Sequence, residues 1–559
     1  IASGIGTNYL CVGDNNGGAA VWIYSTGEAP GSDGAGADSV PMGWGAKVGT
    51  TNGDIDLGSD SGALFTYYYV DGGLRVCDGE FTNTNNNNRI LWYAHRSRFD
   101  GVADNTGDDF VGEYVMHQWS ANNQEISAPS AFTSTTSASE PSGANKVHLR
   151  LTNASKGSDE DAFGWGGENK NWDAACSFVY DYTQESPLTV ASAAVDFTGD
   201  AVDVKARLRV QIDAESTFTF NKRVTSINIY LREDGDSNWY LQAEIDMFKG
   251  IICREFMDDH VKWAYTSSGT TLIADSGEVL LSPTKAITYE ANSGFSSDIT
   301  TLACKYKAAV VANRRTYVGN VRYTNKAGEP ERKASTIIKT PVNAFDSFSE
   351  DYALEVSVDD GDEIVVLETY ADRLLCFKRH KMLLINISGD MEYLEETYMH
   401  KGVSIFGAVC KTDYGIAWVN QRGCYLYDGK RVVDLLEKEG RRLILQKTWE
   451  DTITQRASIG YVAKRRQIMV CRDIKDTGTG GAFGSNSGDI FLYDLVNRAW
   501  MKGVERLDDE EKTNFIVDWN SDLVYYGDDS IVEKWVPEPT SATNIKYYTK
   551  DFDFGDPGV

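Results

Sequence analysis

Residues 373–387 (RLLCFKRHKMLLINI) set two aliphatic and aromatic runs on either side of a basic polar turn, and four further stretches vary the same unit. They are 415–432 (GIAWVNQRGCYLYDGKRV), 458–471 with 489–500 (SIGYVAKRRQIMVC and DIFLYDLVNRAW), 514–535 (NFIVDWNSDLVYYGDDSIVEKW) and, more faintly, 63–81. Each reads as two short strands of high β propensity joined by a tight polar turn. Loose repetition of such a unit marks a radial or stacked β architecture. The pattern predicts an all-β chain: a β-propeller of about six blades, split in sequence.

The units are unevenly placed. Residues 1–109 read as the first part of the propeller. Within them 1–62 are rich in Gly, Asn, Ser and Asp with isolated strands such as 20–24, and 63–98 form one blade around the turn Asp71, Gly72, Gly73. Residues 110–199 lose the spacing and carry polar stretches at 120–145 and 153–171, which predicts a loop-rich insertion or arm anchored by strands such as 146–151 and 176–182. Residues 200–300 alternate apolar and polar positions (AVDVKARLRVQID) and then form a hairpin pattern about Asp234, Gly235 and Asp236, resembling a fibronectin type III strand pair. They are assigned to an inserted β-sandwich. Residues 301–540 complete the propeller. Residues 541–559 are expected to form a C-terminal strand with more chain beyond it, as more is expected before Ile1. A helix is predicted at 431–449, with apolar faces from Val433, Leu435, Leu436, Leu443 and Leu445 and a weak point at Gly440.

At 559 residues the chain exceeds what one core supports, and 42% hydrophobic content with 29 Tyr and 13 Trp against 11 Pro describes an ordered β-rich protein. Charge changes the picture more. With 82 acidic against 54 basic residues the formal net charge is −28, so nucleic acid and anionic membranes are repelled on average. An acidic wall past which DNA slides without sticking remains compatible with that balance. Nine cysteines stand singly, without a C-x-x-C pair, and Cys376 and Cys471 sit inside apolar runs as small hydrophobes. This predicts assembly in a reducing compartment. No apolar run approaches the roughly 20 residues of a membrane-spanning helix.

Candidate chemistry is sparse. The six histidines (95, 117, 148, 260, 380, 400) show no metal-ligand spacing, and His380 falls at a hairpin tip. The Asp-rich segments Asp234–Gly235–Asp236, Asp359–Asp360–Gly361–Asp362 and Asp528–Asp529 offer oxygen ligands for calcium. They lack the spaced pattern of a calcium loop, and Asp and Gly also dominate ordinary β-turns, which is the favoured reading. Phosphate-binding loops and nucleophile elbows are absent, and carboxylate pairs are too abundant to be informative. No catalytic, cofactor-binding or metal residue is assigned, and the chain is read as non-enzymatic. The basic clusters Arg314–Arg315, Arg441–Arg442 and Lys464–Arg465–Arg466 could meet DNA or acidic neighbours. They read more simply as hairpin tips whose charge blunts exposed strand edges.

Residues 312–321 (ANRRTYVGNV), 340–346 (TPVNAFD), 357–361 (SVDDG), 372–387, 411–429 (KTDYGIAWVNQRGCYLYDG), 459–470 and 549–558 together carry a resemblance. In order and wording, residues 300–559 resemble tail-associated β-propeller structural proteins of short-tailed bacteriophages, particularly marine phage sequences of the tail nozzle or hub type. The resemblance implies a virion tail component assembled in the bacterial host cytoplasm. It implies a homo-oligomeric ring, commonly hexameric, around the channel for DNA ejection, with other tail proteins such as adaptor and fibres as neighbours and DNA passing without specific binding. It carries no cofactor and no catalytic residue. The alternatives are a host-glycan-binding or glycan-cleaving propeller with aromatic clefts, and a secreted adhesin, for which the odd cysteines are awkward.

Overall fold

The structure, a computed structural model, describes most of residues 171–191, 223–265, 271–297, 304–472 and 489–536; before and between these it describes chiefly individual strands, from Ala2–Ser3 onward. Among the described residues, seven antiparallel meanders follow one another in chain order. Six have four strands: blade 1 (2–48), blade 2 (66–118), blade 3 (305–355), blade 4 (364–399), blade 5 (409–434) and blade 6 (458–503). Blade 7 (516–534) has three. The first strand of blade 3, Lys305–Ala312, lies against the first strands of blades 2 and 4, and that of blade 6, Ser458–Val462, against those of blades 5 and 7. First strands facing first strands give a radial arrangement, and the chain is an all-β propeller.

Blade 4 shows why its strands read as unbroken apolar runs. Arg373–Lys378 and Lys381–Asn386 are buried at every position but the first. Leu374, Cys376, Leu383 and Ile385 join Ala308, Tyr317 and Ile337 of blade 3, while Leu375, Phe377, Met382 and Leu384 join Ile416 and Trp418 of blade 5. A blade covered on both faces has no polar side to alternate with. Each such Leu, Ile or Phe contributes about 1.5–3 kcal/mol on burial.

Between blades 2 and 3 lies a sandwich of two sheets. One orders the strands Ala264–Tyr265, Thr271–Asp275, Val204–Asp213, Val147–Ser155 and Phe132–Thr135; the other is built on Asn171–Tyr180, Val224–Glu233 and Tyr240–Asp246. Val147, Leu149, Leu208 and Val210 of the first pack on Trp172, Cys176, Ile227 and Ile229 of the second. The opposite face of the second sheet is covered too. Ala175, Tyr230 and Trp239 pack with Tyr289, Phe295 and Ala344, the last from the segment after the third strand of blade 3. Arg223, fully buried, bonds Asp181 and Asp346 at 2.5 Å each, and Gln184 Nε2 donates to both carboxylates. This apolar and ionic junction ties the sandwich to blade 3.

Several expectations change. The segments 110–199 and 200–300 are not an arm and a separate sandwich, because Val147–Ser155 pairs with Val204–Asp213 and Asn171–Tyr180 with Val224–Glu233. The strands of 1–62 are not isolated but pair as one meander. The helix predicted at 431–449 is a strand (Val432–Asp434), a hairpin (Glu437–Lys438 with Arg441–Arg442) and a short helix, Gln446–Thr452. Positive φ at Glu439 (53°) and Gly440 (75°) closes the hairpin, and Leu443 and Leu445 face solvent while Leu435 and Leu436 are buried. The hairpin about Asp234, Gly235 and Asp236 forms as expected, with Gly235 at φ 87°. The C-terminal strand expected in 541–559 lies outside the described residues.

Candidate functional site

A concavity opens where blade 3 runs out of strands. Its third strand, Pro330–Lys339, is ten residues long, but its fourth, Ala353–Glu355, pairs only with Thr336, Ile337 and Ile338. Val356 N–H donates one more bond to Ser335 O at 3.0 Å, and the chain then turns away at Ser357, whose φ is +56°. Two lysines hold that turn. Lys378 Nζ, completely buried, donates to Ser357 O (3.1 Å), Ser335 Oγ (2.9 Å) and Asp360 Oδ2 (2.7 Å), and Lys381 Nζ donates to Ser357 Oγ (2.7 Å) and pairs with Asp360 (2.6 Å). Burial pushes the Asp360 carboxyl up, but the two lysine bonds outweigh it and hold the group well below the usual carboxylate range.

The groove left beside residues 331–335 has a volume of about 720 Å³ and is walled opposite by 361–363 and the hairpin tip Arg379–His380 of blade 4. Its polar groups are mutually engaged. Glu363 accepts from Arg332 Nη2 (2.7 Å), Arg379 Nε (2.7 Å) and Asn320 Nδ2 (3.1 Å), with Lys307 at 3.8 Å. Burial raises the Glu363 carboxyl, and Lys307, Asn320 and Arg379 together bring it below its ordinary value. Asp362 accepts the backbone N–H groups of Glu363, Arg379 and His380 at 3.0–3.1 Å.

The juxtaposition of Ser335, Lys378 and Asp360 invites comparison with a serine–lysine nucleophile and does not meet its requirement. Such a serine gives its proton to a neutral amine. Here the Lys378 ammonium donates to Ser335 Oγ and is paired with Asp360, while the Ser335 hydroxyl donates to Asp362 O at 3.0 Å. The cluster shapes a turn.

The other sequence candidates are placed as follows. His380 is 79% exposed at its hairpin tip, with Nδ1 3.4 Å from Asp362 Oδ1. Asp236 accepts from Asn238 N–H (3.1 Å) and Lys285 (3.3 Å), and the backbone bond is the main cause of its lowered carboxyl. Asp359, Asp528 and Asp529 lie outside the described residues, among which no group of three or more His, Cys, Asp or Glu is arranged to hold a metal. Arg314 completes a two-residue turn with Asn313, both at positive φ, and donates to Asn343 Oδ1 (2.8 Å), while Arg315 donates to Thr340 O (2.9 Å). Lys464 pairs with Asp522 of blade 7 at 2.6 Å. Arg441 and Arg442 form one strand of the small hairpin. None of these basic residues lines the groove.

Sequence reasoning passed over the outer strand of blade 4. Among the described residues Tyr393–Met399 pairs only with Lys381–Asn386, and Tyr393, Leu394 and Met399 are about half exposed, with Met391 just before them at 82%. The register slips between Leu384 and Ile385, so Glu395 is bulged out of the ladder, where it bonds Arg373 and Asn386. The signal in the sequence was MEYLEETYM itself, apolar residues interrupted by acids, which periodicity alone does not separate from a core strand.

No family model and no curated protein matches the chain. Among solved structures, it is similar to a mitotic checkpoint complex (10% identity, 58% of this chain and 86% of that one, TM-score 0.26). It is also similar to the WD40 domain of SCAP from fission yeast (7% identity, 93% of each chain, TM-score 0.25) and to the WD40 β-propeller domain of Doa1 (11% identity, 43% and 94%, TM-score 0.18). The radial order of this chain's own sheets carries the description of its fold. Among the described residues no helix is long and apolar enough to cross a membrane.

Proposed function

We propose that the chain is a non-enzymatic structural subunit that assembles side by side into a closed ring, of the tail nozzle or hub kind found in short-tailed phages, around a channel for DNA. The observation that carries the reading is the exposed outer strand Tyr393–Met399 with Met391. Tyr393, Leu394 and Met399 along this strand and Met391 before it are about half or more exposed, while the two middle strands of the blade are buried at all but their first positions. Large apolar side chains left in solvent along one outer strand are the kind of surface that identical contacts repeated by symmetry cover. The sandwich, locked to blade 3 through Arg223, supplies a rigid second body for such packing. The net charge of −28 suits a wall that DNA passes without binding.

A glycan-binding propeller would need aromatic rings in open clefts. Described Trp rings of the propeller pack between and within blades instead, and those of the sandwich, Trp172, Trp239 and Trp263, are buried in its own cores: Trp418 is fully buried 5.2 Å from Phe377, and Trp449 is fully buried 5.5 Å from Trp500. Burial of these platforms supports a scaffold over a lectin.

The test is the mass of the purified chain by sedimentation together with electron microscopy of the same sample. Closed rings of identical copies are expected. A chain that stays monomeric at all concentrations and is not found in tailed particles overturns the reading, as does a basic lumen in a ring that does form.

A further inference from the structure

Two outer strands of the propeller match one another in chemistry. The outer strand of blade 4, Tyr393–Met399, and that of blade 6, Ala499–Gly503, each pair with a single neighbour among the described residues, so each leaves one edge free. Both edges hold apolar side chains in solvent: Leu394 and Met399 on the first, Met501 on the second with Val496 in the turn before it. The fourth strand of blade 5, between them in chain order, differs. It is three residues long and half-buried, with Val432 and Val433 packed on the core.

The two edges carry opposite charge surpluses. Residues 391–399 hold Glu392, Glu395 and Glu396 and no Lys or Arg. Glu392 pairs with Lys339 and Glu395 with Arg373, each at 2.6 Å. Glu396 is exposed, accepts the Tyr398 hydroxyl and is in no ion pair among the described residues. Lys401, which faces it, rests 4.5 Å from the centre of the Tyr425 ring and is shared with Asp434. One carboxylate is left over. In blade 6 the described residues hold six cations (Lys464, Arg465, Arg466, Arg472, Arg498 and Lys502) against Asp489 and Asp494. Lys502 pairs with Asp489 at 2.7 Å and Lys464 with Asp522 of blade 7 at 2.6 Å, while Asp494 accepts the N–H groups of Val496 and Asn497. Arg498, exposed in the same turn as Val496, is in no ion pair among the described residues. This edge is basic in a chain whose net charge is −28.

We infer that in the ring proposed above the outer strand of blade 4 in one copy packs on the outer strand of blade 6 in the next, with Leu394 and Met399 against Val496 and Met501 and with Glu396 against Arg498. The inference rests on the ring reading and names its contact. Each copy uses its blade 4 edge once and its blade 6 edge once, the head-to-tail arrangement that lets identical subunits continue into a ring instead of stopping at a pair. Apolar burial supplies affinity, and the charge pair decides which edge meets which.

The test is a pair of charge reversals, Glu396→Arg and Arg498→Glu, read by sedimentation velocity at concentrations where the parent forms rings. Both residues are exposed, so each variant is expected to melt as the parent does. Each reversal alone sets like charges together at every boundary and is expected to weaken association at least about tenfold. The double variant should associate as the parent does. A one-to-one mixture of the two single variants should also associate, because the reversed edge of one meets the reversed edge of the other and the unaltered edges meet likewise. Single reversals that leave the rings intact, or a mixture that stays dissociated, overturn this pairing and leave the ring reading standing. A parent that remains monomeric overturns both.

Discussion

Arg223 and Asp346 are 123 positions apart in sequence, yet the guanidinium Nη2 lies 2.5 Å from the carboxylate Oδ2, both completely shielded from solvent. One residue belongs to the inserted sandwich and the other to the segment after the third strand of blade 3. Asp181 and Gln184 complete the cluster: Asp181 shares Arg223, and Gln184 Oε1 accepts the Asp346 N–H at 2.8 Å. Removing one partner from a buried ionic cluster strands the others. Arg223→Met leaves two facing carboxylates in the interior and is expected to cost roughly 3–5 kcal/mol, read as a drop in thermal midpoint. Limited proteolysis should then release the sandwich from the propeller before either unfolds. An unchanged midpoint with an unchanged digest would mean that the apolar junction around Tyr230 and Tyr289 suffices alone.

Asp360 gives a pH dependence of definite sign. Its carboxyl is held below the ordinary range in the fold, so its contribution to stability is fully present above the unfolded value of about 3.9 and is lost as pH falls through the folded value. Asp360→Asn leaves the Lys378 ammonium buried beside a neutral amide. The variant should be less stable than the parent by roughly 1 kcal/mol near neutrality, since Asp360 itself reaches solvent. That deficit should shrink progressively as denaturation is repeated below pH about 4. A deficit constant from neutral to strongly acidic conditions would show that the ion pair is not its source.

Glu185 behaves in the opposite sense. Burial pushes its carboxyl above the ordinary range, opposed by bonds from Ser177, Tyr230 (2.6 Å), Asn228 (3.1 Å) and Asn292 (2.9 Å). A raised folded value favours the protonated form, so the group's contribution falls as pH rises from about 4.3 through the folded value. Glu185→Gln removes the titration. Relative to the parent, the variant should gain stability as urea melts move from pH about 4 to 7. A flat difference across that interval would exclude the assignment.

How far the sequence exposed all this depended on whether a feature was local. The strand pairs of blades 4, 5 and 6 were legible because partners adjoin across tight turns, as Leu375 does with Leu384 and Ile459 with Val470. The sandwich boundary was misread because Leu151 pairs with Leu208 across a gap that no short pattern spans. The helix at 431–449 was misread because Leu443 and Leu445, counted as core, are solvent-facing, and Gly440 turns the chain rather than merely weakening a helix. Nothing near Arg223 in sequence announces Asp346. The groove beside Ala334 was invisible for a related reason: it arises where a strand ends early, and the cause, Lys378, sits in the next blade.

The exposed outer strand of blade 4 separates assembly from folding. Leu394 and Met399 are 49% and 58% exposed, on a strand whose far edge pairs with no other among the described residues, so polar substitution there removes little from the interior. Surface changes of this kind alter stability by no more than about 0.5 kcal/mol. In a closed ring the same side chains recur at every subunit boundary, so one double substitution weakens every contact at once. Leu394→Asp with Met399→Asp is therefore expected to leave the thermal midpoint of the isolated chain within about 2 °C of the parent. The same variant should sediment as a monomer at concentrations where the parent forms rings. Rings that persist in the double variant would move the contact to another face of the propeller, with the outer strand protected merely by its bulge and its glutamates.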